Sequence, residues 1–115
     1  GWTLVHFWAT WCGPCVAELP MLQRMAQEMA GNLTVTTVNV DELAPGAVAR
    51  WMGREGITLA TLLDPEGAAQ RAWGIVSLPT SYLVDPSGMV VGRADGARDW
   101  QDESVKAFLG EKMGG

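Results

Sequence analysis

The sequence has few cysteines, few charges and no long apolar run. Only two of the 115 residues are cysteine, and two residues separate them. A small secreted domain held together by disulfides would carry more cysteines at wider spacing, and a disulfide across so short a loop restrains the unfolded chain little. No apolar stretch approaches the ~20 residues of a membrane-spanning helix. Chemistry is therefore a better explanation of the cysteine pair than stability is.

Charge and length exclude further classes of protein. The formal net charge is -5 and the basic residues form no cluster, so we expect no nucleic-acid partner. Hydrophobic residues make up 48% and charged residues 18%, which is a globular composition. The length predicts a single domain over residues 1–115. Because the chain starts at Gly1 directly in a strand-like run, we interpret it as trimmed at the N-terminus, with any targeting segment removed.

The order of strand-like and helix-like segments predicts an α/β fold. Runs of β-branched and aromatic residues alternate with stretches of good helix formers. Strands are predicted at 3–8, 33–40, 59–63, 80–84 and 89–93, and helices at 15–30, 47–54, 68–73 and 100–113. The last two strands flank a tight turn and form a hairpin, and Pro20 predicts a kink in the first helix. This order predicts a mixed central sheet flanked by helices.

The segment Cys12-Gly13-Pro14-Cys15 carries the clearest chemistry. Pro14 suits the first turn of a helix, where its missing N–H costs nothing. Cys12 then lies just before the helix, where unpaired backbone N–H groups favour the thiolate that attacks disulfides. Cys15 lies one helical turn away, within reach of a disulfide with Cys12. We therefore expect Cys12 to be the exposed nucleophile and Cys15 to be the thiol that resolves a mixed disulfide.

A zinc site is the main structural alternative for the pair. Structural zinc takes four Cys or His ligands. This chain offers only Cys12, Cys15 and its one histidine, His6. We therefore expect no bound metal and no other cofactor.

Residues 7–15, which read Phe-Trp-Ala-Thr-Trp-Cys-Gly-Pro-Cys, resemble the active-site segment of the thioredoxin superfamily. Glu18 and Pro20 follow the second cysteine at the spacing of the TlpA/ResA-type proteins, which are extracytoplasmic relatives of thioredoxin in bacteria. The stretch 78–88 and the extra residues between the second strand and Pro79 are also similar to this branch. The resemblance implies a thioredoxin-like fold with a helix–strand insertion before the strand that follows a cis proline.

The same resemblance gives roles to the residues around the cysteines. It implies that the Leu78–Pro79 bond is cis, which is available at modest cost only before proline, and that Pro79 faces the cysteine pair. The backbone of Leu78 would then pair with an extended substrate segment. From the residues alone, a trans proline at the start of an edge strand is equally consistent. Trp11 is expected to shield the disulfide and contact a partner, and Gly13-Pro14 favours the reducing direction.

His6 and Glu18 are the other two candidate site residues. His6 departs from the resemblance, since thioredoxin has a buried acid at this position and the TlpA/ResA branch commonly an amide. It either exchanges the proton of Cys15 during resolution or is a neutral core histidine with a backbone partner, and we favour the second. Glu18 lies one turn beyond Cys15 on the same helix face. It is either a carboxylate that raises the pKa of the thiols or a solvated surface acid.

Together these features predict a thiol–disulfide oxidoreductase that reduces protein disulfides. The resemblance implies apocytochrome c or copper-assembly proteins as substrates and a membrane reductase as electron donor. It also implies a periplasmic or other extracytoplasmic location, with a membrane anchor as one form of the full-length protein. A monomer is expected, because no dimerisation feature stands out. Two alternatives stay open: an oxidant that forms disulfides, and a copper-binding metallochaperone that uses the same cysteines as ligands.

Overall fold

The computed structural model describes residues 1–114, which form five strands and four helices. In chain order these are β1 (Trp2–Trp8), α1 (Gly13–Glu28), β2 (Leu33–Asn39), α2 (Pro45–Glu55), β3 (Ala60–Leu63), α3 (Ala68–Ala72), β4 (Thr80–Val84), β5 (Val90–Asp95) and α4 (Glu103–Gly114). The predicted types and order of these elements are confirmed. The helix–strand insertion corresponds to α2 and β3, and α3 leads from it to β4.

The strands form one mixed sheet in the order β3-β2-β1-β4-β5. β1 pairs in parallel with β2 and antiparallel with β4, and β5 completes a hairpin with β4. β1 is therefore the central strand, which explains why it is mostly apolar and has no exposed residue. Because β1, β2 and β3 run in parallel, their carboxyl ends meet at one edge of the sheet. The cysteine segment follows β1 at that edge.

Helix α1 begins at Gly13, two residues before its predicted start, because Cys12 itself caps it. The backbone of Cys12 is extended (φ −94°, ψ 104°), and its side chain accepts a hydrogen bond from the N–H of Cys15. Pro14 lies in the first turn, as predicted. The helix continues without a break past Pro20, and the predicted kink stays a prediction. Its buried residues are Cys15, Glu18, Leu19, Leu22 and Met25.

Helix α4 begins at Glu103, later than predicted, because Asp102 caps it. The Asp102 carboxylate accepts hydrogen bonds from the N–H and the hydroxyl of Ser104, at 2.8 and 2.6 Å. Trp100 therefore lies in the turn before the helix, and its ring meets that of His6 edge-on, with 6.3 Å between centroids. This turn brings Trp100 from the end of the chain to the first strand.

The core lies between the sheet and its helices, and tryptophan contributes much of it. Trp8 is fully buried, donates its Nε1–H to Thr37 Oγ1 at 3.1 Å and packs against Trp51. Four further tryptophans are buried or half-buried: Trp2, Trp51, Trp73 and Trp100. Over the part of the chain that the structure describes, no helix combines the length and apolarity needed to cross a bilayer.

Candidate active site

Cys12 and Cys15 form a disulfide at the start of α1, where the parallel strands end. Their Cα atoms are 5.2 Å apart. Cys12 Sγ accepts the backbone N–H of Cys15 at 3.3 Å, so this sulfur lies where a helix N-terminus stabilises negative charge. Cys15 is fully buried and Cys12 is 7% exposed. Cys12 is more accessible than Cys15, which agrees with its predicted role as the attacking thiol. It is nevertheless much less exposed than predicted.

Apolar side chains are exposed directly before Cys12 and in the segment that leads to β4. Trp11, directly before Cys12, is 70% exposed, and Val76, shortly before β4, is 87% exposed. Gly13 and Pro14, between the cysteines, are also exposed. Exposed apolar groups of this kind are typical of surfaces that contact another protein.

The Leu78–Pro79 peptide bond is cis, as the resemblance predicted. Thr80, the next residue, pairs with Phe7 near the carboxyl end of β1, so the proline lies at the same edge of the sheet as the disulfide. Pro79 is buried, and its carbonyl accepts the backbone N–H of Gly96 at 2.8 Å. The connection after β5 therefore holds the cis proline in place.

Asp41 fixes the chain segment before the disulfide, and no sequence pattern pointed to it. Its carboxylate is 4% exposed and accepts three hydrogen bonds. They come from the N–H and the hydroxyl of Thr10, at 2.9 and 2.8 Å, and from Nδ2 of Asn39, at 2.7 Å. Thr10 follows β1 and Asn39 ends β2, so the carboxylate ties two neighbouring strand ends together two residues before Cys12.

His6, from β1, and Glu18, from α1, form a buried pair. His6 Nε2 lies 3.1 Å from Glu18 Oε1, and the two side chains are 0% and 1% exposed. The contact falls short of aligned hydrogen-bond geometry, and neither atom has another partner. His6 Nδ1 is 2.7 Å from Ser81 Oγ. Glu18 Oε2 accepts the backbone N–H of Arg98 and the Nε1–H of Trp100, both at 2.9 Å.

These contacts correct two of the interpretations made from the sequence. Glu18 is not a solvated surface acid, because it is buried and hydrogen-bonded. His6 has the side chains of Ser81 and Glu18 as partners, and not the backbone partner that we favoured. A buried carboxylate is costly unless it is paired and hydrogen-bonded. Glu18 and Cys15 are one turn apart, with about 5–6 Å expected between their Cβ atoms, so both side chains lie on the same buried face of α1.

The partners of this pair were missed because they come from distant parts of the chain. Ser81, Arg98 and Trp100 belong to β4 and to the connection before α4. One local signal was available in α1. Glu18 precedes Leu19 and stands in the stripe of apolar residues that the helix buries, where an acid needs internal partners. This position alone indicated a buried carboxylate.

Known proteins are similar to this chain in sequence and in fold. A model of the AhpC/TSA family matches residues 1–93. The thiol-disulfide oxidoreductase ResA of Bacillus subtilis (strain 168) is 32% identical over 88 residues, which are 76% of this chain and 49% of ResA. The crystal structure of StoA from Bacillus subtilis has a TM-score of 0.81 and 26% identity, and covers 94% of this chain and 81% of StoA.

A third similar protein is described as an exposed lipoprotein. This is the thioredoxin Etrx1 from Streptococcus pneumoniae strain TIGR4, with a TM-score of 0.80, 27% identity and coverage of 96% of this chain and 84% of that one. The chain spans about half the length of the curated relatives it matches. With its cysteine pair at the start of α1 and its cis proline at the same edge, the chain belongs to the AhpC/TSA family, within the thioredoxin superfamily, and is of TlpA/ResA type.

Proposed function

We propose that this protein is a thiol–disulfide oxidoreductase that reduces disulfides in other proteins. The Cys12–Cys15 pair at the start of α1, with Cys12 the more accessible sulfur, supports this most directly. In the reduced protein the Cys12 thiolate attacks a substrate disulfide, which gives a mixed disulfide and one free substrate thiolate. Cys15 then loses its proton and attacks Cys12, so that the second substrate thiolate leaves. Two electrons pass to the substrate, and its thiolates take up protons from water.

The residues around the pair have proposed roles in this exchange. The helix N-terminus favours the thiolate of Cys12, and Gly13 and Pro14 keep the approach to it free of bulky side chains. The cis Pro79 presents the backbone of Leu78 to an extended substrate segment, by strand addition. Trp11 contacts apolar side chains of the same segment.

We further propose partners and a location that follow the TlpA/ResA type. The substrates are disulfides of extracytoplasmic proteins, such as apocytochrome c or copper-assembly proteins, and a membrane reductase returns the electrons. The similarity to ResA and to an exposed lipoprotein thioredoxin supports a location outside the cytoplasm. Reduction of a purified disulfide-bonded candidate substrate by the pre-reduced protein tests each partner directly.

The reduction potential of the pair tests the direction of electron flow. We expect a value below about −200 mV, towards the about −270 mV of thioredoxin. The potential can be measured by equilibration in glutathione or dithiothreitol buffers, with tryptophan fluorescence, to which Trp11 beside Cys12 contributes, as the probe. The variant that lacks both cysteines is the control and should show no redox-dependent change. A value near about −120 mV would make the protein an oxidant that forms disulfides.

Replacing Glu18 with glutamine should lower the pKa of the Cys12 thiol. An ionised carboxylate beside the cysteine pair opposes a further negative charge, and glutamine removes that charge at nearly the same size. Glutamine also keeps one oxygen to accept from Arg98 or Trp100. The titration of the reduced protein can be followed by the ultraviolet absorbance of the thiolate. Glu28→Gln, an exposed position on the same helix, is the matched control, and an unchanged titration in Glu18→Gln would contradict the prediction.

A further inference from the structure

A cavity of about 260 Å³ lies between β4, β5 and α4, away from the disulfide. Ser81 and Trp100 both line it, and both also touch the buried histidine–glutamate pair. Arg93, Arg98 and Ser104 line it as well and are exposed, so the cavity opens to solvent. Its volume is enough for several water molecules, and the hydroxyl of Ser81 and the side chains of Arg93 and Arg98 offer them partners. The buried pair therefore has a space on one side that is open to solvent.

The resolving step requires a proton to leave a buried sulfur. Cys15 must become a thiolate before it attacks Cys12, and its side chain has no exposed surface. Glu18, one turn along the helix, is the acceptor nearest in sequence on the same buried face. Its Oε2 is already occupied by two donors, so Oε1 is the oxygen that is free to take the proton. For the protein to cycle, this proton has to move on to water.

We propose that His6 and Ser81 carry this proton from Glu18 to the cavity, an inference that rests on the proposed function. Glu18 Oε1 faces His6 Nε2 at 3.1 Å, and His6 Nδ1 faces Ser81 Oγ at 2.7 Å. His6 starts with its own proton on Nδ1. It accepts the proton of Glu18 at Nε2 and then releases the Nδ1 proton to the oxygen of Ser81. The hydroxyl proton of Ser81 passes to water in the cavity. One proton leaves for each resolution, and the two electrons move only between the sulfurs.

The serine hydroxyl suits this position because it both donates and accepts hydrogen bonds. It can donate to the bare Nδ1 of one histidine form and accept from the protonated Nδ1 of the others. His6 can therefore change its protonation without losing its buried partner, which would be costly. The indole of Trp100 can only donate, so it holds Oε2 of Glu18 and leaves Oε1 directed at the histidine. His6 and Ser81 are thus positioning residues that act on Cys15 through Glu18.

Within residues 1–114, no other charged side chain makes a hydrogen bond or ion pair with His6 or Glu18. On the neighbouring strands His6 lies beside Thr37 and Ser81, which are uncharged. The segment before α4 contributes Trp100 and only the backbone N–H of Arg98, whose guanidinium instead approaches the Ala97 carbonyl at 3.4 Å. At the cavity mouth, Arg93 pairs with Asp95 at 3.0 Å. The titratable groups along the route are therefore Cys15, Glu18 and His6.

The resolving step can be timed alone with an aromatic disulfide reagent such as dithiobis(nitrobenzoate). Reduced protein releases one coloured thiolate when Cys12 is modified and a second when Cys15 attacks the adduct. We expect His6→Asn and Ser81→Ala to slow the second release about fivefold or more near pH 6. At about pH 9.5 the second release in both variants should be as fast as in the unsubstituted protein, because hydroxide then deprotonates thiols without a relay. Ser81→Thr, which keeps the hydroxyl, should resolve at nearly the original rate.

The controls separate this route from a structural effect. Ser104→Ala removes a hydroxyl that lines the same cavity but does not touch His6, and should leave the second release unchanged. An unaltered rate in Ser81→Ala at every pH, or the same slowing at every pH, would overturn the proposal. If Ser81→Thr slowed the second release as much as Ser81→Ala does, the proposal would be overturned as well. If the unsubstituted protein releases only one thiolate, the proposed oxidoreductase function itself fails, which is a distinct result.

Discussion

Replacing Cys15 with serine should abolish turnover and trap the protein on its substrate. Cys12 would still attack, but the mixed disulfide could not be resolved from within, because serine cannot form a disulfide. We expect the rate of catalytic disulfide reduction to fall by about 10³-fold or more. Non-reducing electrophoresis and intact mass should show a stable adduct of the variant with a disulfide-bonded substrate, released by dithiothreitol.

The matched control for this trap is Cys12→Ser. Here Cys15 is the only thiol, and in the folded protein it has no exposed surface. We expect no turnover and no adduct from this variant. Adducts of equal yield from the two variants would mean that the cysteine roles are not divided as proposed.

Replacing Asp41 with alanine should lower both stability and reactivity. The change removes the acceptor for three donors, from Thr10 and Asn39, next to the cysteine segment. Donors left unpaired in the interior cost about 1–3 kcal/mol each before water relieves some of them. We therefore expect the free energy of unfolding to fall by about 2–4 kcal/mol, as measured by urea denaturation. Loss of the Thr10 anchor should also slow attack by Cys12 about tenfold, because Trp11 and Cys12 follow directly.

Asp64→Ala separates the two effects of Asp41→Ala. Asp64 is also buried, and its carboxylate accepts the backbone N–H groups of Ala69 and Gln70 at the start of α3. It makes no hydrogen bond to the segment before Cys12. We expect Asp64→Ala to lose stability but to keep its rate of attack on a model disulfide. Equal slowing in both variants would assign the effect of Asp41 to general destabilisation.

The elements of the fold could be predicted where short-range signals mark both of their ends. β4 was predicted with its observed bounds because Pro79 precedes it and the turn at Asp85 follows it. In that turn the Asp85 carboxylate accepts the N–H groups of Ser87 and Met89, at 2.9 and 3.0 Å. The hydrogen bond from the Ser87 hydroxyl, followed by those from the N–H groups of Met89 and Ser87, lowers the pKa of Asp85. The predicted start of α4 was wrong, because the apolar Trp100 extended the helical pattern to a position before Asp102, the residue that caps the helix.

The nucleophile could be predicted from the sequence, but its buried surroundings could not. Cys12, Cys15 and Pro79 lie in segments whose residue order alone marks their chemistry. The environment of Glu18 instead depends on Arg98 and Trp100, which are 80 and 82 residues away in the chain. Periodicity and spacing describe contacts within one element, and they carry no information on which distant loop covers a helix face.

Glu18 joins α1, β1 and the segment before α4, and this limits which substitutions are tolerated at position 18 and at the positions of its partners. An apolar residue in its place would leave Trp100 Nε1–H without its acceptor and His6 Nε2 without its polar neighbour in the interior. A leucine at position 18 would therefore be tolerated best alongside an apolar or amide residue at position 6. Positions 18 and 100, which share this hydrogen bond, are thus expected to change together among relatives, while the cysteines, one helical turn from Glu18, remain the same.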